Sequence, residues 1–325
     1  MLLKKSQLDY LAKKYNYPLY MIDRFSKMFS TFNELIDFLD ANETPPPVAI
    51  RINTLKIAPE ELIIRLSKKG FKLKDVPWIS YVKIIDYAPY SLSSLPEYLL
   101  GYFFIQDLAS VIPPMVLSPS EKDIVLDMCA APGGKTTHLA QLMGNQGFLF
   151  AVDISNKRIS ALKSNLARMG IRNTIVFQFN AKNIHLLNIK FDKILLDAPC
   201  TGEGLIRVDK SRKWKRSIRD INFMSQIQYT LLERAVSVLK TGGTIVYSTC
   251  STTPEENEFV ISKLLKNHGN IHVEPIELPI GRRAYTSIFG KVLQKEIAGG
   301  IRLFPHTDNT IGFFVCKLKK VKHNA

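Results

Sequence analysis

The sequence predicts an α/β protein built around a Rossmann-like sheet of mostly parallel strands. From about residue 102, near-continuous apolar segments alternate with helical patterns, which is typical of a parallel sheet covered by helices on both faces. The predicted strands are IVLDM (124–128), FLFAVD (148–153), NTIVFQF (173–179), FDKILLDAP (191–199) and GTIVYSTC (243–250). Such sheets bind ligands at the carboxyl ends of their strands, so functional residues are expected at that edge.

The residues before this sheet predict a helical segment followed by a small α/β module. Apolar side chains recur near helical spacing in residues 1–43, which indicates short amphipathic helices. Segment 48–54 (VAIRINT) then predicts a strand, and 58–70 predicts a helix that begins with proline and ends with glycine. Segment 78–85 (WISYVKII) predicts a second strand of the same module.

The C-terminal end predicts an antiparallel hairpin. Segments 301–306 (IRLFPH) and 310–319 (TIGFFVCKLK) resemble strands, and turn-prone residues separate them. Single hydrophobic cores seldom grow beyond roughly 250 to 300 residues, so a chain of 325 residues is expected to hold two domains. We expect an N-terminal domain over 1–101 and a larger domain over 102–325.

The net charge indicates a polyanionic partner. Lysine and arginine number 44 against 29 acidic residues, which gives a formal charge of +15. A positive field of this size favours nucleic acid through phosphate contacts and counterion release. Solubility or a basic proteome remains the alternative explanation of the charge alone, so the clustering of the cations has to decide.

Composition also indicates the compartment and the absence of a metal. No apolar run approaches the ~20 residues of a membrane-spanning helix, and the N-terminus lacks the pattern of a secretory signal. The four cysteines are scattered without a CxxC pair, which favours neither a zinc site nor a disulfide framework. We therefore expect a soluble, cytoplasmic, monomeric protein with no membrane contact and no metal.

The loop after the first strand of the large domain indicates a nucleotide-type ligand. Small residues let a backbone approach a ligand closely, and this loop consists of Cys129, Ala130, Ala131, Pro132, Gly133, Gly134 and Lys135. Asp153 ends the next strand 19 residues beyond Gly134, near the ~20-residue offset at which an acid bonds a ribose hydroxyl. The pattern GxGxxG is absent, and a phosphate-binding loop fails because Cys129 stands at its first position. Adenosine is therefore the implied ligand.

Two cysteines follow neighbouring predicted strands. Cys200 comes after the fourth strand and Cys250 ends the fifth, so both are expected to face the ligand cleft. A single cysteine is more often a small buried hydrophobic residue, which is the interpretation we keep for Cys316. Two cysteines at one edge beside an adenosine loop favour a chemical role.

Three long motifs occur in order along the chain, CAAPGGKT, LLDAPCTGEG and YSTCSTTPEENE. Together they resemble the RNA 5-methylcytosine methyltransferases of the NOL1/NOP2/Sun family, an archaeal and bacterial type that acts on transfer or ribosomal RNA. The resemblance includes RINTLK (51–56) and GYFFIQDLAS (101–110) and covers most of the chain from residue 48. It implies a class I methyltransferase sheet, S-adenosylmethionine as cofactor, and an RRM-like N-terminal module that binds RNA.

The resemblance also implies a cofactor site. Its expected members are Cys129, Ala130, Ala131, Pro132, Gly133, Gly134, Lys135, Asp153, Arg158, Asn180 and Asp197. Asn180 departs from the family pattern, which usually has aspartate there to contact the adenine amino group. An amide oxygen can still accept that hydrogen bond. For Arg158, an ordinary solvated helix position remains the alternative.

The resemblance assigns catalysis to Cys250, Cys200, Asp197 and Lys135. Cys250 is expected to attack carbon 6 of cytosine, with Asp197 holding the base, Lys135 supporting the charge, and Cys200 promoting release. DNA cytosine methyltransferases instead use a cysteine after proline, so an analogy with them gives the attack to Cys200. Mutation separates the two schemes.

Segment 207–219 (RVDKSRKWKRSIR) supplies the clustering that the net charge left open. It holds seven basic residues and one acid around Trp214, a combination that suits phosphate binding and base stacking. A solvated basic loop is the alternative. We expect an RNA substrate, with transfer RNA favoured and ribosomal RNA as the runner-up, or an RNA-binding assembly factor whose catalysis is dispensable.

Overall fold

The protein was analysed as a computed structural model, which describes residues 3–322. The helices are α1 (Lys5–Tyr15), α2 (Leu19–Met28), α3 (Phe32–Glu43), α4 (Pro59–Lys68), α5 (Pro96–Leu99), α6 (Leu108–Leu117), α7 (Gly134–Leu142), α8 (Asn156–Met169), α9 (Ile218–Val238), α10 (Glu258–Asn267) and α11 (Pro305–Asp308). The strands are β1 (Ala49–Ile52), β2 (Lys72–Asp75), β3 (Val82–Tyr87), β4 (Phe103–Ile105), β5 (Ile124–Asp127), β6 (Phe148–Asp153), β7 (Thr174–Gln178), β8 (Phe191–Asp197), β9 (Leu239–Thr249), β10 (Ile271–Glu274), β11 (Arg282–Arg283), β12 (Ser287–Ile288), β13 (Lys291–Val292), β14 (Ile301–Leu303) and β15 (Phe313–Lys320).

The large sheet confirms the predicted α/β class. Its strand order is β11-β14-β15-β9-β8-β5-β6-β7, with β10 paired to β15. The five strands from β5 to β9 pair in parallel, whereas β15 is antiparallel to both β9 and β14. The chain order reverses between β5 and β8, and open sheets bind ligands at such a switch point.

Helices cover both faces of this sheet. Successive side chains along each central strand point to opposite faces, and the apolar side chains on both faces are buried under helices. Val125 and Val246 pack on one face with α6 and α7, while Leu126 and Ile245 pack on the other with α9 and α10. Burial on both faces explains the near-continuous apolar strands of the sequence. No helix in residues 3–322 is long and apolar enough to cross a membrane.

The N-terminal module is a four-stranded antiparallel sheet of order β2-β3-β1-β4. Helix α4 packs on one face, where Leu62 and Leu66 contact Ile50 and Ile52. This connectivity gives the expected RRM-like arrangement, although β2 and β4 were absent from the predicted elements. Strand β4 follows the expected domain boundary at residue 101, and that boundary stays a prediction.

The other face of this module packs against the large domain. Ala49 and Val82 join the core that contains α6 and α7. Arg51 is fully buried between the two parts, where it donates to the Gly134 carbonyl at 2.8 Å and to the Thr137 hydroxyl at 2.7 Å. The sheet face that an isolated module would expose is therefore covered.

The predicted N-terminal helices are present as α1, α2 and α3, and residues 1 and 2 lie outside the described part. Phe25, Phe29 and Phe38 form an aromatic cluster that contacts Phe304 from the C-terminal region. The long-range contact fixes these short helices against the large domain.

The predicted C-terminal hairpin is present, with β14 antiparallel to β15. The turn expected between residues 306 and 310 is instead a short helix, α11. Asp308 accepts from the Phe304 and Gly281 backbone N–H groups, and these bonds tie the short helix to its neighbours. The small strands β10 to β13 were not predicted, because they are too short to show a period of their own.

Candidate functional site

The site lies at the carboxyl ends of β5, β6, β8 and β9, beside the reversal of strand order. The loop after β5 leads into α7, and Gly133 at the start of that helix has a φ of +106°. A side chain there would lie 2.9 Å from the Leu162 side chain, so glycine is required at this turn. The Thr136 hydroxyl donates to the Asp127 carboxylate at 2.8 Å and fixes the loop to the strand end.

Asp153 ends β6 and is buried against the same loop. Its carboxylate accepts from the Ala131 N–H at 3.2 Å and from the Ser155 N–H at 3.0 Å. Arg158 lies beside it, with an ion-pair distance of 3.3 Å to Asp153 and a hydrogen bond to the Ala131 carbonyl. The structure therefore brings all three predicted residues together at one point.

Asn180 lies after β7 and lines the same cavity as the loop after β5. Its side-chain oxygen accepts from the Lys182 N–H at 3.0 Å. That bond uses one of the two lone pairs of the amide oxygen, so one remains for a ligand.

Asp197 ends β8 and is the charged centre of the site. Lys135 donates to one of its oxygens at 2.7 Å, and the Ser248 hydroxyl donates to the other at 2.8 Å. Burial alone would lower the pKa of Lys135, but the charge and hydrogen bond of Asp197 raise it above its ordinary value. The lysine is therefore a fixed positive charge beside the two cysteines.

Cys200 and Cys250 have their sulfur atoms 3.1 Å apart. They meet because β8 and β9 are neighbours in the sheet, with Asp197 opposite Ser248. The hydrogen bond with Cys250, together with burial, raises the pKa of the Cys200 thiol well above its ordinary value. The direction of this shift favours the neutral thiol at Cys200.

A cavity of about 480 Å³ connects these groups. Its predicted members are Cys129, Ala131, Asp153, Arg158, Asn180, Asp197, Cys200 and Cys250. Ile154 and Phe179 form apolar walls beside the carboxylate and the amide. The cavity thus combines apolar walls with a buried carboxylate and an amide, and its volume is in the range of small-ligand sites.

The remaining loop residues lie elsewhere. Ala130, Pro132, Gly134 and Lys135 line a smaller cavity of about 240 Å³ on the other side of the loop, which Cys129, Ala131 and Asp197 share with the larger one. Gly133 lines neither cavity and shapes the turn instead. Cys316 is fully buried in the core, in agreement with its structural interpretation.

The basic segment 207–219 divides into two groups. Arg207 is buried and donates to the Thr44 and Thr310 carbonyls, and Lys213 is only 3% exposed and pairs with Glu43. Their side chains attach the segment to neighbouring parts of the protein, so these two cations are not available for the RNA contact that the segment is expected to make.

Arg212 extends into the large cavity, where it donates to the Thr201 carbonyl at 3.0 Å. Trp214 is 50% exposed, and Lys215, Arg216 and Arg219 are exposed beside it. The outward part of the segment is therefore a cluster of three cations around one indole.

Two buried residues at the site were not singled out from the sequence. Arg51 reaches the loop from the N-terminal module, and Glu256 accepts hydrogen bonds from the segments that follow both cysteines. Glu256 belongs to the PEENE run of the third motif, where several acids close to a strand end were a usable signal. Arg51 begins the RINTLK motif, but its contact with the loop had no sequence signal because its partners are more than 50 residues away.

Two family models match the chain. Residues 114–319 match the model described as 16S rRNA methyltransferase RsmB/F, and residues 18–108 match the N-terminal domain of 16S rRNA methyltransferase RsmF. The first match contains the loop after β5 and both cysteines.

Solved structures of high similarity cover nearly the whole chain. A methyltransferase homolog protein from Pyrococcus horikoshii is 43% identical, with a TM-score of 0.89 over 98% of this chain and 100% of that one. NSun6 from the same organism, solved with SFG, is 27% identical, with a TM-score of 0.81 over 98% of both chains.

Curated relatives are longer than this chain. The 28S rRNA (cytosine-C(5))-methyltransferase of Mus musculus is 36% identical over 99% of this chain but only 41% of its own length. Ribosomal RNA small subunit methyltransferase F of Vibrio cholerae is 36% identical over 92% of this chain and 63% of its own length. This chain thus spans about two fifths to two thirds of these relatives. On the family match and the similarity to the Pyrococcus homolog, the chain belongs to the RsmB/F family of RNA methyltransferases, the NOL1/NOP2/Sun group that its motifs resemble.

Proposed function

We propose that the protein transfers a methyl group from S-adenosylmethionine to carbon 5 of a cytosine in RNA. The observation that carries the proposal is the contact between two thiols, Cys200 and Cys250, beside the Lys135–Asp197 pair and an adenosine-shaped cavity. A methyltransferase for protein or a small molecule needs the cavity but has no use for paired thiols.

The cofactor fits the residues that line the cavity. Asp153 is placed to accept both ribose hydroxyls, and Asn180 is placed to accept from the adenine amino group. When bound, S-adenosylmethionine supplies an electrophilic methyl group at the sheet edge. SFG, an S-adenosylmethionine analogue, was solved with the similar NSun6 protein, which supports this assignment.

Cys250 is the proposed nucleophile. Carbon 5 of cytosine is a poor nucleophile, and attack of the Cys250 thiolate on carbon 6 pushes electrons toward carbon 5 as a covalent bond forms. Asp197 accepts from the cytosine N4 edge, where charge changes as the adduct forms, while Lys135 and Ser248 hold the carboxylate in place.

Cys200 has a duty that changes with the state of Cys250. Before attack, its thiol donates to the neighbouring sulfur and stabilises the thiolate. Once Cys250 is bonded to carbon 6 it carries no negative charge, so its hydrogen bond and its charge no longer raise the pKa of Cys200, while burial still does. Cys200 can then give up its proton and act as the base that removes the carbon 5 proton, which breaks the Cys250 bond and releases the product.

Ribosomal RNA is the substrate class that the relatives support best. Curated relatives from several organisms are named for ribosomal RNA. We therefore put ribosomal RNA before transfer RNA, which the sequence analysis favoured. Trp214 and the exposed cations beside it form the proposed contact with unpaired RNA, since stacking and phosphate contacts suit single strands. Because the large domain covers the sheet face that an isolated module would expose, any RNA contact of the N-terminal module is left to the edges of the module.

Trapping of the covalent complex tests the mechanism. The Cys200→Ala variant should accumulate a protein–RNA adduct on denaturing gels with cytosine-containing RNA and S-adenosylmethionine, whereas Cys250→Ala should give neither adduct nor product. The opposite pattern assigns the attack to Cys200, as in the DNA enzymes. Mapping 5-methylcytosine in ribosomal and transfer RNA with and without the gene identifies the substrate, and an unchanged map with a bound RNA supports an assembly factor instead.

A further inference from the structure

Glu256 is a fully buried carboxylate without a cationic partner in the described part of the chain. Its two oxygens accept five hydrogen bonds. The donors are the Thr201 N–H at 2.9 Å, the Thr201 hydroxyl, the Gln228 amide at 2.8 Å, the Ser251 hydroxyl at 2.9 Å and the Thr253 hydroxyl at 3.2 Å. An acceptor-only arrangement of this kind is the one made by an ionised carboxylate.

Four of the five donors come from the segments that follow the two cysteines. Thr201 is the residue after Cys200, and Ser251 is the residue after Cys250. Gln228 reaches in from α9 and also donates to the Pro199 carbonyl at 2.8 Å, on the residue before Cys200. One side chain therefore connects the backbone on both sides of the sulfur pair.

The cost of this arrangement indicates that it has a specific use. A buried charge without a counter-ion is expensive, and a core made of apolar residues would avoid that cost. Glu258, two residues further along and equally buried, has its charge balanced by Arg302. Among the described residues Glu256 has no such cation. Its charge is stabilised by five hydrogen-bond donors, four of which lie in the segments after the cysteines.

We propose that Glu256 is the positioning residue of the two-cysteine site, where its hydrogen bonds hold the two sulfur atoms in contact and its negative charge acts on Cys200. The proposal rests on the proposed function for the duties of the two cysteines. Glu256 lines neither cavity of the site, so it acts through the cysteine segments.

The electrostatics of Cys200 agree with this geometry. After the hydrogen bond with Cys250 and burial, and after the charge of Cys250, the negative charge of Glu256 is the next cause that raises the pKa of the Cys200 thiol. Glu255, the residue before it, is absent from the leading causes, and its ion pair with Arg24 is partly exposed. Glu255 and Glu256 therefore form a matched pair for an experiment.

Thiol alkylation tests the proposal without RNA or cofactor. Iodoacetamide labelling of the full chain, resolved for each cysteine by peptide mass spectrometry, gives the rate at Cys200 as a function of pH. In Glu256→Gln we expect this rate at pH 8.5 to rise about tenfold, because one pKa unit changes the thiolate fraction tenfold. In Glu255→Gln, which removes the adjacent charge, we expect the Cys200 rate to stay within about twofold of the unsubstituted protein. An unchanged rate in folded Glu256→Gln, or an equal rise in Glu255→Gln, overturns the proposal.

A milder variant covers the case in which Glu256→Gln does not fold. Ser251→Ala removes one of the five hydrogen bonds and keeps the charge, so the Cys200 labelling profile should remain that of the unsubstituted protein. With RNA as substrate, the kcat of Ser251→Ala should fall about tenfold while its KM for S-adenosylmethionine stays constant, because the substitution does not alter the cofactor cavity. An unchanged kcat overturns the positioning role. The labelling arm decides on the charge of Glu256 even where the protein methylates no RNA, so the two proposals fail separately.

Discussion

The buried ion pair between Arg302 and Glu258 supports the segment after Cys250, and removing Arg302 tests that support. Arg302 is 1% exposed and Glu258 is 0% exposed, and the guanidinium makes two hydrogen bonds to the carboxylate. The third guanidinium nitrogen donates to the Thr252 carbonyl at 2.8 Å. The pair therefore anchors the backbone two residues beyond the proposed nucleophile.

Removing one partner leaves an uncompensated charge in the core. In Arg302→Met, the Glu258 carboxylate loses both hydrogen bonds from the guanidinium and keeps the one from the Tyr285 backbone N–H at 3.0 Å. Breaking a fully buried pair in this way costs about 3 to 5 kcal/mol of the free energy of unfolding. The double variant Arg302→Met with Glu258→Leu removes both charges and should recover to within about 1 kcal/mol of the unsubstituted protein, because apolar replacements of similar volume are often neutral.

Urea unfolding followed by circular dichroism measures these free energies. Arg283→Met is the matched control, since Arg283 forms a comparable pair with Glu277 on the surface. An exposed pair contributes little, so the control should lose less than about 1 kcal/mol. The reasoning is wrong if Arg302→Met loses no more than this control, or if the double variant is as unstable as the single one.

Three further predictions concern the cofactor, the pH dependence and the RNA. Asp153→Ala should abolish most S-adenosylmethionine binding by calorimetry in a folded protein, and retained affinity would remove Asp153 from the site. Burial raises the pKa of Asp127 from 3.8 to about 7, so the stability that its protonation provides is complete below pH 4 and is lost as the pH rises through 7. Asp127→Asn should therefore flatten that decline, which amounts to about 4 kcal/mol at most, and a decline of unchanged slope in denaturant unfolding would contradict the shift. Neutralising Lys215, Arg216 and Arg219 together should reduce the salt dependence of RNA affinity by about two in log–log slope, and an intact slope would place the RNA elsewhere.

The sequence by itself determined the architecture of the large domain and the edge that carries its chemistry. Strands buried on both faces leave a continuous apolar signal, which is a local property of each segment. Because parallel strands end at one edge, residues that follow those strands had to meet there. Asp153, Cys200 and Cys250 were placed at this edge in this way, together with the loop that starts at Cys129, whereas Asp197 was assigned by the resemblance.

Contacts between distant segments were decided only by the tertiary structure. The 3.1 Å contact of Cys200 with Cys250 depends on the pairing of β8 with β9, and the buried position of Arg51 depends on the packing of the N-terminal module against the large sheet. Charge content could not separate Lys213, whose partner Glu43 lies 170 residues away, from Lys215, which faces solvent. Periodicity and motif spacing report on neighbours along the chain, whereas burial and hydrogen-bond partners are set by residues that only folding brings together.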